Sequence, residues 1–149
     1  MIVLASDHAG VGLKAEIVRL LEARGEPVLD LGPAGDASVD YPVFAHRLVR
    51  EILSGRADRG VLICGTGIGM SMAANRHAGI RAALCHDAYT AEMARRHNDA
   101  NVLCMGGRVV GAGVALQIVE VFLKTSFEGG RHQRRAGLIE PPLDRQEER

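Results

Sequence analysis

The sequence predicts an α/β fold: a doubly wound, five-stranded parallel sheet with helices on both faces. Three observations carry this reading. Five short runs are continuously apolar rather than alternating, the pattern of parallel strands covered on both sides. Helix-period segments separate them. The length, 149 residues, is that of one domain with a real core. Successive βα units with right-handed crossovers make the sheet Rossmann-like, and such sheets bind ligands at the carboxyl ends of the strands. Each of the chain's polar clusters is expected at one of those ends.

The strands are expected at Ile2–Ala5, Val28–Leu31, Val61–Cys64, Ile80–Cys85 and Asn101–Met105. The first helix follows from Leu13, Ile17, Leu20 and Leu21 on one stripe, with Gly25 as its stop. The second covers Val43–Leu53, between Tyr41-Pro42 and Ser54-Gly55. A third begins near Gly67, a fourth near Asp87, and a fifth runs from Gly111 to Lys124. That fifth helix carries Val114, Leu116, Ile118, Val119, Val121, Phe122 and Leu123 on nearly all faces. A helix apolar all round must be buried all round, so this C-terminal helical segment is expected at a dimer interface, unless the chain's own end folds over it. Residues 1–140 are expected to form the single domain, and 141–149, polar after Pro141-Pro142, a frayed tail.

Composition excludes several function classes. Eighteen Lys+Arg balance 18 Asp+Glu, so the basic excess that nucleic-acid or membrane-surface binding requires is missing. Aromatics are 3%, too few for base-stacking platforms. Cys64, Cys85 and Cys104 have neither disulfide-framework nor zinc-ligand spacing. The amino terminus reads as no signal peptide, and no stretch is long and apolar enough to span a bilayer, so a reducing cytoplasm is the expected compartment.

The chemistry concentrates after the third strand, in Cys64-Gly65-Thr66-Gly67-Ile68-Gly69-Met70-Ser71. Glycines there let successive N–H groups converge on one anion, a phosphate or an oxyanion formed during reaction. This is not a Walker loop, and the glycine spacing and position miss the dinucleotide fingerprint. A thiol facing a helix start should ionise more readily than a free one, so Cys64 is the candidate base; Cys85 and Cys104 read as small buried hydrophobes. Asp7-His8 ends the first strand and can equally be a helix cap. Asp40-Tyr41-Pro42 opens the second helix. His97-Asn98-Asp99 offers a group that titrates near neutrality, or a plain turn. Arg108, and the run Arg131-His132-Gln133-Arg134-Arg135, are suited to phosphate by the arginine fork, or form a solvated face.

Taken together, Ser6-Asp7-His8-Ala9-Gly10, Asp40-Tyr41-Pro42, Cys64-Gly65-Thr66-Gly67-Ile68-Gly69, Ala73-Ala74-Asn75, His97-Asn98-Asp99-Ala100-Asn101-Val102, Gly107-Arg108 and Gly129-Gly130-Arg131-His132-Gln133-Arg134-Arg135 resemble, in order, the ribose-5-phosphate isomerase B family, over about residues 1–140. The resemblance implies an aldose–ketose isomerase working through an enediolate on ribose 5-phosphate and ribulose 5-phosphate. It makes Cys64 the base, Thr66 an aid to proton traffic, and His97 the group that opens the furanose. Backbone amides from Gly65 through Ser71, including those of Gly67 and Gly69, would hold the enediolate. Asp7 and Asn98 would bind hydroxyls, Tyr41 would pack by the sugar, and His8, Arg108, Arg131 and Arg135 would hold the phosphate. No cofactor or metal is implied. Family members are dimers with shared sites, so a homodimer, with pairing into a tetramer left open, is the implied partner state. One branch of the family carries a Glu just after the glycine turn; Met70 stands there in this chain and has no proton to exchange. The alternatives are the same chemistry on allose or galactose 6-phosphate, and a phosphate sensor that has lost catalysis. The presence of both Cys64 and His97 speaks against the sensor.

Overall fold

The computed structural model describes residues 1–141, so the tail expected over 141–149 lies, from 142 onward, outside the described residues. Five strands form one all-parallel sheet: β1 (Ile2–Ser6), β2 (Val28–Asp30), β3 (Arg59–Cys64), β4 (Ala82–Leu84) and β5 (Val102–Gly106), in the order β2-β1-β3-β5-β4. The three central strands carry the long apolar runs. The two edge strands shrink to three residues each, because an edge has one ladder partner and one half-open face.

Side chains alternate cleanly across the central strands. Leu4, Val61, Ile63, Leu103 and Met105 face a layer made of α1 (Val11–Ala23), α4 (Ala88–Asn98) and α5 (Ala112–Lys124). Val3, Ala5, Leu62, Cys64, Val102 and Cys104 face α2 (Tyr41–Leu53) and α3 (Ile68–Ala74). Each fully buried Leu, Ile or Val contributes about 1.5–3 kcal/mol, so both layers are needed to hold the sheet. A short α6 (Arg131–Ala136) packs on α4. No helix among the described residues is long and apolar enough to cross a membrane.

Much of the apolar surface of the fifth helix is covered within the chain itself. Ala115, Ile118, Val119 and Phe122 are buried between α1 and α4 of the same chain, and Leu116, Val121 and Leu123 pack at the edge of that core. A central helix in a three-helix layer has neighbours on two flanks and the sheet beneath, so apolar residues serve it on most sides. Val114, near the start of α5, stays exposed, and so do apolar side chains elsewhere, among them Tyr41, Ile68, Met72, Leu84, Tyr89 and Val109.

Topology also corrects the placement of the polar clusters. Strand order reverses between β1 and β3, where α1 and α3 leave on opposite faces. Asp7 follows β1, Cys64 ends β3 and Gly107-Arg108 follow β5, all at the carboxyl ends around this crevice. His97 and Asn98 end α4 and precede β5, so they stand at the amino end of the sheet. Arg131 and Arg135 lie on α6, which packs against α4, and belong to the same end. The five residues of β5 separate the two ends by roughly 13–16 Å at about 3.3 Å per residue.

Candidate active site

At the carboxyl end, Cys64 points to the α3 side, 5% exposed, and its Sγ accepts a hydrogen bond from the Gly67 amide at 3.1 Å. Gly67 starts α3 at φ +77°, where a Cβ would lie 2.6 Å from Leu84 Cδ1 and 2.8 Å from the Met105 carbonyl carbon; only glycine fits. Not every amide of the turn is available. Gly67 N–H is on the thiol, Ile68 N–H donates to Thr66 Oγ1 at 3.3 Å, and Ser71 N–H donates to the Gly67 carbonyl at 3.0 Å. The Ser71 hydroxyl is itself turned into the helix, donating to the Ile68 carbonyl at 2.8 Å. The expected cradle from Gly65 through Ser71 therefore narrows to the amides of Gly65, Thr66, Gly69 and Met70, which have no partner among the described residues.

Neighbouring elements close around this turn. Gly107 N–H donates to the Cys64 carbonyl at 2.8 Å and Arg108 N–H to the Gly65 carbonyl at 3.1 Å, pinning β5's exit to β3's. The exposed Arg108 guanidinium lies over Gly65, where a Cβ would come within 3.2 Å of Nη1. Tyr41 lies on Gly69: a Cβ there would be 2.5 Å from Tyr41 Cζ. Asp7, buried, caps the single 3-10 turn His8–Gly10 by accepting from Ala9 N–H at 2.9 Å. His8 Nδ1 accepts from Val39 N–H at 3.3 Å, so the neutral ring carries its proton on Nε2 and can present it as a donor. Asp40 caps α2 through its backbone alone.

At the amino end, the His97 ring stacks on His132, centroids 4.2 Å apart and planes 8° from parallel. Burial, then the neighbouring His97 and Arg131, push the His132 imidazole below the ordinary histidine range. Glu128 is held below the usual carboxylate range by its hydrogen bond from Arg96. Asn98 and the arginines of α6 are exposed beside this stack. Asp99, at φ +47°, is a brace: Arg95 Nη1 donates to its Oδ1 at 2.9 Å and Arg81 Nη2 to its Oδ2 at 3.2 Å. His97, Glu128 and His132 bring their ligand atoms within 4.8 Å of one another, the spacing of a metal group. Arg96 already occupies Glu128, and Arg131 and Arg135 stand alongside, so the local charge suits an anion rather than a divalent cation.

The structure thus gathers the sequence-predicted residues into two groups. Asp7, His8, Tyr41, Cys64, Thr66, Gly65, Gly67, Gly69, Ser71 and Arg108 share the carboxyl end; His97, Asn98, Arg131 and Arg135 share the amino end. Cys85 and Cys104 are buried small residues whose thiols burial pushes up. Sequence reasoning missed three supports. His86 Nε2 accepts from Gly106 N–H at 3.0 Å, and nothing in its sequence context signals that. Lys14, 2% exposed, donates to Asp30 Oδ1 at 2.5 Å and to the Pro33 carbonyl at 3.1 Å, anchoring the segment that carries Val39 to His8. Glu128 lies four residues before His132, a helical spacing that could have drawn attention.

Comparison with known proteins gives one answer. Residues 2–139 match the model of the Ribose/Galactose Isomerase family. The ribose-5-phosphate isomerase B of Escherichia coli is 47% identical over 138 residues, 93% of each chain. Among solved structures, the Clostridium thermocellum ribose-5-phosphate isomerase B is 52% identical with a TM-score of 0.91, covering 93% of both chains. That of Mycoplasma genitalium with bound ribulose-5-phosphate is 47% identical with a TM-score of 0.88, covering 93% of this chain and 92% of that one. On its glycine-cradled cysteine, its fold and this match over nearly its whole length, the chain belongs to the ribose/galactose isomerase family.

Proposed function

We propose that the protein interconverts D-ribose 5-phosphate and D-ribulose 5-phosphate through an enediolate. The observation that carries the reading is Cys64: a thiol held by the Gly67 amide at the rim of four unpartnered amides. As thiolate, Cys64 takes the C2 proton of the open aldose. The electron pair moves to the C1 oxygen, where the free amides of Gly65, Thr66, Gly69 and Met70 meet the charge. A proton passes from the C2 hydroxyl to the C1 oxygen with Thr66 assisting, and Cys64 returns its proton to C1, leaving the ketose. Arg108, close over Gly65, and His8, whose Nδ1 is taken by Val39, would bind the phosphate, and Tyr41, against Gly69, would line the sugar.

His97 opens the furanose, Asn98 and Asp7 bind hydroxyls, and Arg131 and Arg135 complete the phosphate site. Because the two groups stand at opposite ends of one sheet, each site takes its His97 group from the second chain of a homodimer. Cys64→Ala tests the base: isomerisation is lost while phosphate-ligand binding persists, and wild-type turnover would overturn the assignment. A comparison of kcat/KM on ribose 5-phosphate, allose 6-phosphate and galactose 6-phosphate tests the substrate, a six-carbon preference overturning the pentose reading.

A further inference from the structure

The reading of His97 as the ring-opening group leaves open what aims it. Among the described residues no hydrogen bond reaches its imidazole, and its ring lies stacked on that of His132. His132 is itself packed in: it is 8% exposed, and its Nε2, without a hydrogen-bond partner among the described residues, lies 3.4 Å from Glu128 Oε2. Glu128 is tied back to α4 twice, by Arg96 Nε donating to Oε1 at 2.6 Å and by its own N–H donating to the Arg96 carbonyl at 3.1 Å. The result is a closed ring of contacts from Arg96 through Glu128 and His132 to His97, the residue next to Arg96.

We propose that His132 is a positioning residue for sugar ring opening: it fixes the plane of the His97 imidazole, so that the edge of that ring, where its nitrogens lie, meets the sugar ring oxygen. One face of His97 is covered, and proton transfer runs in the ring plane. The inference rests on His97 opening the furanose, and a displacement of about 1 Å at such a group costs on the order of a hundredfold.

The test isolates ring opening from isomerisation. In full-length Cys64→Ala protein, exchange between the α and β anomers of ribose 5-phosphate, read by NMR exchange spectroscopy, requires only opening and closing of the ring. His132→Ala in that background should slow the catalysed exchange about tenfold or more, while His132→Phe, which keeps a flat face, should stay within about threefold. His132→Leu fills the space without a flat face; it should be slow, and it replaces the alanine variant if that one does not melt cooperatively. Exchange at the parent rate in His132→Ala or His132→Leu overturns the proposal. So does a phenylalanine variant as slow as the leucine one, because a flat face would then not be what matters. If the parent Cys64→Ala protein binds ribose 5-phosphate but gives no acceleration, ring opening by His97 and its positioning both fall. Acceleration that ignores His132 removes the positioning alone.

Discussion

Gly67→Ala tests the cradle where backbone and chemistry meet. The native φ of +77° places any L side chain in the left-handed region, at about 1–2 kcal/mol. The new methyl would also stand 2.8 Å from the Met105 carbonyl carbon and 3.0 Å from its Cα, backbone atoms of a central strand, besides 2.6 Å from Leu84 Cδ1. Such overpacking adds about 1–3 kcal/mol, because β5 cannot yield without disturbing its ladder with β3. A total near 3 kcal/mol lowers Tm by about 6–12 °C for a chain of this length. The relief available is a shift of the turn, which withdraws the Gly67 amide from Cys64 and misaligns the free amides beside it. Loss of one preorganised donor costs about a hundred- to a thousandfold in kcat. Thermal melts and steady-state kinetics on ribose 5-phosphate read the two effects. A variant within about 2 °C of wild type would refute the packing argument, and one with kcat within about threefold would refute the cradle. Gly69→Ala is the control: the three atoms nearest its methyl all belong to the exposed Tyr41 side chain, which can swing out, so stability holds within about 1 kcal/mol and KM rises.

The same geometry sets other outcomes. On the proposed shared-site homodimer, mixing Cys64→Ala with His97→Ala subunits through unfolding and refolding should restore about a quarter of wild-type activity, half the dimers being mixed with one intact site each; no recovery would assign both residues to one chain's site. Lys14→Met should lower stability by about 1–3 kcal/mol in urea unfolding, less than a fully buried pair costs because Asp30 is itself part-exposed and can resolvate. His77 pairs with His46 at 2.8 Å, and burial, then His46 and Arg50, hold it below its usual range. The unfolded chain therefore takes that proton more readily, so its contribution to stability is present above the unfolded value near 6.5 and is lost as pH falls through the lower folded one. Urea midpoints from pH 7.5 down to 5 should decline in the wild type and decline less in His77→Gln; equal slopes would contradict the assignment.

The central fold was legible because burial on both faces writes itself as unbroken apolar runs in β1, β3 and β5. The edge strands were overextended: Leu31, Ile80 and Cys85 pack on the core just beyond the strand ends, Leu31 and Cys85 each giving one last N–H to the neighbouring strand. The apolar girth of α5 was legible, but its partners were not: periodicity states how much of a helix is covered and not by which element. The cysteine turn was legible as a glycine-rich passage from strand to helix, yet which of its amides remain free depended on hydrogen bonds to Cys64 Sγ, Thr66 Oγ1 and the Gly67 carbonyl that no spacing encodes.

The division of the candidate residues between two ends was recoverable from topology alone. In a parallel sheet each strand runs the same way and each helix returns, so a segment leaving a strand lies at the carboxyl end and a segment leaving a helix lies at the amino end. Cys64 and Arg108 sit where strands finish; His97 closes a helix, and Arg131 and Arg135 come after one. With bonds of about 1.5 Å, a five-carbon phosphate ester spans under roughly 10 Å, less than the length of β5 that separates the groups. If Cys64 and His97 act on the same substrate molecule, as proposed, this length requires them to come from two chains. The neutral net charge has the same logic: it is a sum in which Arg108 and the arginines of α6 are local clusters, balanced by acids elsewhere in the chain.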